Sequence, residues 1–396
     1  MSTAPAAGAG ASAAPAMGAG ASAAPAMGAG RAARASARRR AIVPPLPQRE
    51  GLDPVRLRVD AALLREAGAV HADAVDSGAV DATGDAEGCG PTVANVLLHR
   101  FPPLADPAAT DLGERLARGD MLRADGTAWS ADDRPRAGEE IWFHRELAPE
   151  DVEDVELPIL LHDEHLLVID KPAGMATTPR GAHVLASALV RLRRATGIAD
   201  LVPLHRLDRR TAGVLAFGVR PEERSAYQQL FARGEVAKEY RARVAVGPGP
   251  VIDGPDPDAD GAVPRATWTW LPRPGERRTI ATRLVRERGD LRTRTVPGEP
   301  NAVTDIEVLG VSGGQALLAL HPRTGRTHQL RAQLADLGTP ILGDDLYPRV
   351  RPESESGGDL QLLALSLAFT DPVTGQERAL RSGRRMGLGT PTGSAS

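Results

Sequence analysis

The apolar positions fall mostly into short runs with a period of two. Ile159 to Leu161 and Leu166 to Asp170 are strand-length runs on either side of the polar turn His162 to His165, and Lys171-Pro172-Ala173-Gly174 ends the second. Val214 to Val219 reads as a buried strand. Lys238 to Val246 alternates, with Tyr240, Ala242, Val244 and Val246 on one face and Glu239, Arg241 and Arg243 on the other. Residues 303–309 and 315–320 pair as a hairpin across Gly313-Gly314. Three stretches have the helical period instead. Leu185, Leu189 and Leu192 form one stripe, with Arg191, Arg193 and Arg194 on the outer face and Gly197 as the stop. Pro221 to Phe231 carries Glu222 and Glu223 at its positive end and Gly234 beyond its end. Thr327 can cap a helix running to Leu337, with Leu330, Leu334 and Leu337 inward and Gly338 closing it. Strands outnumber helices and many connections are of hairpin length. The pattern therefore predicts an α+β fold, a mixed, largely antiparallel central sheet with flanking helices, over a doubly wound parallel sheet.

The N-terminal third is less regular. Asp53 to Val59 alternates like a strand, and Ala67 to Gly90 is acidic and rich in Gly and Ala, which predicts a flexible insertion. Val93, Val96, Leu97 and Phe101 recur at helical spacing before Pro102-Pro103; Leu112 to Gly119 predicts a short helix, and Met121 to Phe143 short strands around the turn Ala124-Asp125-Gly126. The first thirty residues are a ten-residue near-repeat of Ala, Gly, Pro, Ser and Met that cannot bury enough surface to fold. Residues 31–40 add five arginines and no acid, the composition of a solvated tail, although RNA phosphates would suit it too. The expected division is a low-complexity tail at 1–50, a small acidic domain at 51–156, the main domain at 157–385 and a flexible tail at 386–396.

With 396 residues, 42% of them hydrophobic, the chain is long enough for two or three domains with a full core. The net charge of −3 gives no mandate for nucleic acid or membrane, but its distribution is uneven. Residues 51–160 carry 10 basic and 23 acidic side chains, and 161–350 carry 27 and 22. The basic excess thus lies in the main domain. One cysteine, Cys89, can neither staple a fold nor build a thiolate zinc site, which fits a reducing compartment. No apolar run approaches membrane-spanning length and no charged leader precedes an apolar core, so a cytoplasmic protein is expected. Lys171 and Lys238 are the only lysines, a bias that fits base composition better than function.

Three segments concentrate chemistry: His205-Arg206-Leu207-Asp208-Arg209-Arg210-Thr211-Ala212-Gly213, Lys238-Glu239-Tyr240, and His321-Pro322-Arg323-Thr324-Gly325-Arg326-Thr327-His328-Gln329-Leu330-Arg331. The first sets one carboxylate among four basic residues just ahead of a buried strand. Neighbouring cations should keep that acid ionised. Arg331 lies about 100° around its helix from the leucine stripe, at the edge of the core, and can reach a partly buried acid. Arg323, Gly325 and Arg326 precede a helix N-terminus, an arrangement that suits a phosphate. Each residue also has an ordinary reading. Asp208 can be a structural partner of the arginines, Tyr240 a core tyrosine, Arg323 and Arg326 a solvated loop, and Lys171 the structural end of a strand. His205, His321 and His328 lack the spacing of a metal site and read as hydrogen-bonding scaffold, so no metal is assigned.

His205 to Gly213 resembles the HRLDxxT(S/A)G signature of the RluA-type pseudouridine synthases. Leu166 to Gly174, Lys238-x-Tyr240 and Arg323 to Leu346 resemble that family's other motifs, in its order and spacing, over about residues 157–372. Four strings in register weigh far more than one. Ala212, Gln333 and Thr339 depart from the usual residues at their positions without removing an acid, an aromatic or an arginine with a catalytic role. The resemblance implies a cofactor-free isomerase that breaks the bond between uracil and the ribose anomeric carbon, turns the base over and rejoins it through carbon 5. It assigns Asp208 to the sugar carbon, Arg331 to holding that acid charged, Tyr240 to stacking on the detached base and assisting proton removal, Leu330 to packing against it, and Arg206 to filling the gap left by the flipped nucleotide. The expected partner is structured RNA, ribosomal RNA before transfer RNA, bound by a monomer. Many relatives carry a small N-terminal RNA-binding module, but residues 91–147 match it too loosely to claim one. The alternative is a non-catalytic RNA-binding or ribosome-assembly protein on the same fold, which would have no need of this particular acid. A kinase reading of His205-Arg206-Leu207-Asp208 fails, because Leu207 intervenes and the downstream Asn and the Gly-rich phosphate loop are missing.

Only 3% of the residues are aromatic, so shape and phosphate contacts should dominate RNA binding. Affinity is therefore expected to fall steeply as salt rises; a binding constant unchanged between low and high salt contradicts this.

Overall fold

The chain was described from a computed structural model covering residues 43–75, 90–147, 150, 155–180, 183–246, 270–287 and 289–388. The expectations for residues 1–42, 76–89, 151–154, 247–264 and 389–396 lie outside it. Where the acidic stretch is described it is helical. Helix α1 (Ala61–Val75) begins where Asp60 accepts the Leu63 N–H at 2.8 Å, and it buries Leu63 and Ala67 four residues apart. The flexible insertion expected from Ala67 therefore starts no earlier than residue 76, because a capped helix with an inward stripe overrides a Gly- and Ala-rich composition.

Strand β1 (Val55–Arg58), helix α2 (Val93–Arg100), helix α3 (Leu112–Ala117) and strand β2 (Glu140–Phe143) follow. A capping box between Thr92 and Asn95 starts α2, and Asp111 caps α3. β1 and β2 pair antiparallel, and the group encloses a core of its own that includes Leu57, Val96, Leu97, Trp129 and Phe143. Pro45 to Glu50, assigned to the tail by composition, belong to the folded unit. Pro47 accepts a hydrogen bond from His144, and Gln48 bonds Asp53 and the Ala199 carbonyl.

The main sheet has eleven strands: β3 (Ile159–His162), β4 (Leu166–Lys171), β5 (Val202–Pro203), β6 (Ala212–Gly218), β7 (Ala237–Ala245), β8 (Arg277–Val285), β9 (Arg294–Val296), β10 (Ala302–Ser312), β11 (Gln315–Pro322), β12 (Leu362–Thr370) and β13 (Glu377–Arg381). Nine of them run in the order β3-β4-β6-β12-β7-β11-β10-β8-β9, with β5 beside β6 and β13 beside β12. The pairing of β6 with β12 is parallel and the others are antiparallel. This is the mixed, largely antiparallel sheet that the pattern predicts. β6 and the first four residues of β4 are apolar because both faces are covered, and Asp170 and Lys171 end β4. Leu167, Ile169, Leu215 and Phe217 pack with helix α4 (Ala188–Thr196), while Leu166, Val168, Val214 and Ala216 pack with helix α5 (Arg224–Ala232).

Two sequence expectations need correction. Arg193 was placed on the outer face of α4, yet it is buried, donating to the carbonyls of Leu201 and Gly51 at 3.1 Å and to Asp53 at 3.0 Å. It follows Leu189 by four residues, so it lies on the buried stripe and ties the N-terminal segment to the sheet. Helix α6 (Gln329–Asp336) begins one residue later than a Thr327 cap requires, with His328 in the cap position. The side chain of Gln329 takes the donors of the loop, Thr324 Oγ1 at 2.8 Å and Arg326 N at 3.1 Å, and His328 enters the helix in the left-handed conformation, at φ 54°. Among the described residues no helix is long and apolar enough to cross a membrane.

Gly213 makes the parallel junction possible. It has φ 118°, and a Cβ there would lie 2.1 Å from the Ala364 carbonyl oxygen. Gly213→Ala is expected to cost about 3 kcal/mol or more, from backbone strain and overpacking together. Urea denaturation checks this; a midpoint equal to that of the unaltered protein contradicts it.

Candidate active site

One rung of the sheet sets the level of the site. Lys171 of β4 pairs with Gly213 of β6, Gly213 with Ala364 of β12, Ala364 with Tyr240 of β7, and Tyr240 with Leu320 of β11. The loop bearing Asp208 opens just ahead of β6, and three anchors hold it. Thr177 Oγ1 donates to the Leu207 carbonyl at 2.8 Å and accepts from its N–H at 3.1 Å. The fully buried Lys171 ammonium donates to the carbonyls of Met175, Pro172 and Arg209 at 2.8, 2.9 and 3.2 Å. The guanidinium of Arg210 reaches Gly358 O at 2.6 Å, Ser356 Oγ at 3.0 Å and Asp345 at 3.2 Å. Burial pushes the Lys171 pKa down to about 7, against the opposing charge of Asp208.

From the other side α6 supplies Leu330 and Arg331. Leu330 is buried in the core beneath β7 and β11, against which Tyr240 also packs. Arg331, 3% exposed, is gripped by Asp344 at 2.8 and 2.5 Å and by Asp345 at 2.8 Å, and its guanidinium lies 5.5 Å from the centre of the Tyr347 ring. Its third nitrogen stands 3.7 Å from Asp208 Oδ2. Burial opposes the guanidinium charge, but the Asp344 bonds more than offset it, so the pKa of Arg331 is raised. Asp345 is likewise held below the usual carboxylate range by Arg331, against its own burial. Tyr240 is pushed up by burial and then by the charge of Asp208, which keeps it a neutral phenol.

The structure thus brings together Asp208, Arg331, Tyr240 and Leu330 of the residues singled out in the sequence. The Asp208 side chain remains 23% exposed. Arg206, on the same loop, is exposed. Arg323 and Arg326 lie at the surface; Asp305 binds Arg323 at 2.7 and 2.9 Å, and the Arg326 side chain donates to the Asn301 carbonyl at 3.2 Å. His205 is half-buried, accepts the Ala216 N–H at 3.1 Å and stacks on Phe231, and desolvation of its ring lowers its pKa to about 3. Among the described residues no cluster of His, Cys, Asp and Glu could hold a metal.

Sequence reasoning missed the acids that hold Arg331. The signal was present as the Asp344-Asp345 pair directly after Gly343. Gly343 has φ 74°, and a Cβ there would lie 2.2 Å from the Asp359 carbonyl oxygen. His328 was read only as scaffold, yet its Nε2 lies 3.8 Å from Asp208 Oδ2.

The family model described as RNA pseudouridylate synthase matches residues 165–336. The tRNA pseudouridine synthase C of Vibrio cholerae is 30% identical over 237 residues, 57% of this chain and 91% of that protein. The dual-specificity RNA pseudouridine synthase RluA of Escherichia coli K12 is 31% identical over 230 residues, 57% of this chain and 92% of that one. Among solved structures, human RNA pseudouridylate synthase domain containing 1 is 22% identical with a TM-score of 0.43, covering 59% of this chain and 85% of that chain.

The two kinds of ion pair should respond differently to truncation. Asp344→Ala strips a buried cation of its bidentate partner and is expected to cost about 3–5 kcal/mol. Asp305→Ala, which frees the exposed Arg323, should cost far less, because solvent screens that pair. Equal losses in denaturant titrations of the two variants contradict the assignment of Arg331–Asp344 as the buried clamp.

Proposed function

Because the chain belongs to the RluA-type pseudouridine synthase family, and is an RNA isomerase on that ground, we propose that Asp208 carries the reaction on uridines of structured RNA. The carboxylate attacks or stabilises the electron-poor C1′ as the bond to uracil N1 breaks. The base turns over and C5 bonds to C1′, releasing the carboxylate; C5 loses a proton and N1 gains one. Atoms balance within the nucleoside, so the step calls for no cofactor. What supports Asp208 most is its placement, part-exposed and 3.7 Å from the buried Arg331 cation, close to it but not tied up in a short bond.

The other groups follow from where they stand. Tyr240 offers the face on which the freed uracil stacks. As a neutral phenol it assists proton removal through a hydrogen bond rather than as a phenolate base. Leu330 packs against the base. Arg206, exposed on the same loop, fills the space of the extruded nucleotide, since a stacked base hides its reacting atoms. Asp305 already matches the charge of Arg323, so of the two loop arginines Arg326 is the better phosphate contact. Ribosomal RNA is the proposed target and a monomer the proposed acting form. Transfer RNA is the second reading, raised by the name of the Vibrio relative.

Total RNA from a strain lacking the protein, incubated with it and mapped for pseudouridine, should gain at least one site, and the site identifies the RNA. Asp208→Asn should abolish the gain while leaving the unfolding midpoint nearly unchanged. No new site with the unaltered protein, or an undiminished one with Asp208→Asn, rejects the reading.

A further inference from the structure

His328 is fixed by its neighbours in one protonation pattern. Its Nδ1 lies 3.2 Å from the hydroxyl of Tyr347, and the two rings meet edge to face at 5.8 Å. That hydroxyl already has two partners on one buried residue: it accepts the Thr293 N–H at 2.7 Å and donates to the Thr293 carbonyl at 3.0 Å. A phenol has one proton and two lone pairs. With the proton committed to the carbonyl and one lone pair to the N–H, the remaining lone pair faces His328, so Nδ1 must carry the hydrogen. Burial lowers the pKa of His328, with the charge of Asp208 opposing and the cations of Arg331 and Arg286 reinforcing, which keeps the ring neutral. Its Nε2 is then a bare lone pair.

That lone pair faces Asp208 Oδ2 across 3.8 Å, a carboxylate oxygen that also only accepts. Two acceptors so placed satisfy neither group, and a half-buried acceptor without a donor is costly. The gap asks for a donor, and His328 is held to it. The left-handed conformation at φ 54°, unusual for a residue other than glycine, aims the ring there from the first residue ahead of α6.

The substrate can bring that donor. Within an RNA chain the 3′ and 5′ oxygens are esterified, so the ribose of an internal nucleotide has a single hydroxyl, on C2′, next to the C1′ that Asp208 must meet. We propose that His328 reads the sugar of the target uridine, its Nε2 accepting a hydrogen bond from the 2′-hydroxyl, and so makes the site selective for ribose over deoxyribose. This rests on the reading of Asp208 given above and extends it to a second contact on the same sugar.

The test uses two synthetic RNAs spanning the uridine found by mapping, one all ribose and one with 2′-deoxyuridine at that single position. Equilibrium competition measures their relative affinity for the full chain; turnover does not disturb the comparison, because pseudouridine keeps the hydroxyl. The unaltered protein should prefer the all-ribose RNA about tenfold, the worth of one hydrogen bond to a half-buried neutral acceptor. His328→Gly, which suits the left-handed backbone, should bind both RNAs alike, with its loss confined to the ribose form. His328→Asn, which also tolerates that conformation, takes its place if the glycine variant does not fold. A preference that survives the substitution, or none in the unaltered protein, overturns the inference. Isomerisation of the all-ribose RNA by the unaltered protein separates that result from failure of the functional reading itself.

Discussion

The site is organised around a guanidinium that water cannot reach. Burying a charge is expensive, and an apolar pair of similar volume would stabilise the fold as well or better, so the contribution of Arg331 lies in direction rather than in net stability. Asp344 is itself fixed, since its Oδ1 also accepts the N–H groups of Leu346 and Tyr347 at 2.9 and 3.0 Å. Asp345 bridges Arg331 to Arg210, two residues beyond Asp208. One chain of charge-assisted bonds thus links α6 to the loop that bears the acid. The distances divide the labour: 2.5–2.8 Å to the structural acids, 3.7 Å to Asp208. Under the proposed reaction, a short bidentate bond to Asp208 would have to be broken before that carboxylate could meet a sugar.

The sheet contributes the other half of the placement. Because Lys171, Gly213, Ala364, Tyr240 and Leu320 share one rung, the end of β4, the start of β6 and the middle of β7 arrive at the same height. The rung closes only because Gly213 has no side chain to hold β12 away. A single packing constraint between two parallel strands therefore sets the spacing between the acid loop and the tyrosine. The anchors from Thr177 and Lys171 then remove the freedom left in that loop, which is the preorganisation such chemistry rewards.

Much of this was legible from period and turn chemistry. The β10–β11 hairpin was read because Gly313-Gly314 separates two alternating runs, and β4 and β6 because burial on both faces gives each an unbroken apolar run, Leu166 to Ile169 and Ala212 to Gly218. β8 went unread: among its nine residues Ile280 and Leu284 are buried, and they stand four apart, which masks the period of two. β12 is an apolar run of strand length whose meaning depends on its neighbours β6 and β7, joined to it by long-range pairing. Arg193 was misplaced by residue type where its spacing from Leu189 gave the right face. The Asp344-Asp345 pair stands in the sequence, but that it grips Arg331, thirteen residues away, shows only once the chain turns back after α6. The motif strings marked where the chemistry gathers, and the partners of each side chain came from the fold.

The charges near the acid also explain which way it faces. Asp208, Asp344 and Asp345 stand against Arg331, Arg210 and, when protonated, Lys171, so the cluster is close to neutral. Exposure within it is unequal. Lys171, Arg331 and Asp344 are sealed, whereas Asp208 remains part-exposed. Behind the acid the charges are compensated by short bonds, and in front of it lies the open side. A uridine brings no charge on its base or sugar, so in the proposed reaction the positive character growing at C1′ as the glycosidic bond loosens would meet a carboxylate whose buried neighbours are already satisfied. The site therefore does not have to reorganise buried ions when the reaction begins. It has only to accept the sugar at the one face left open.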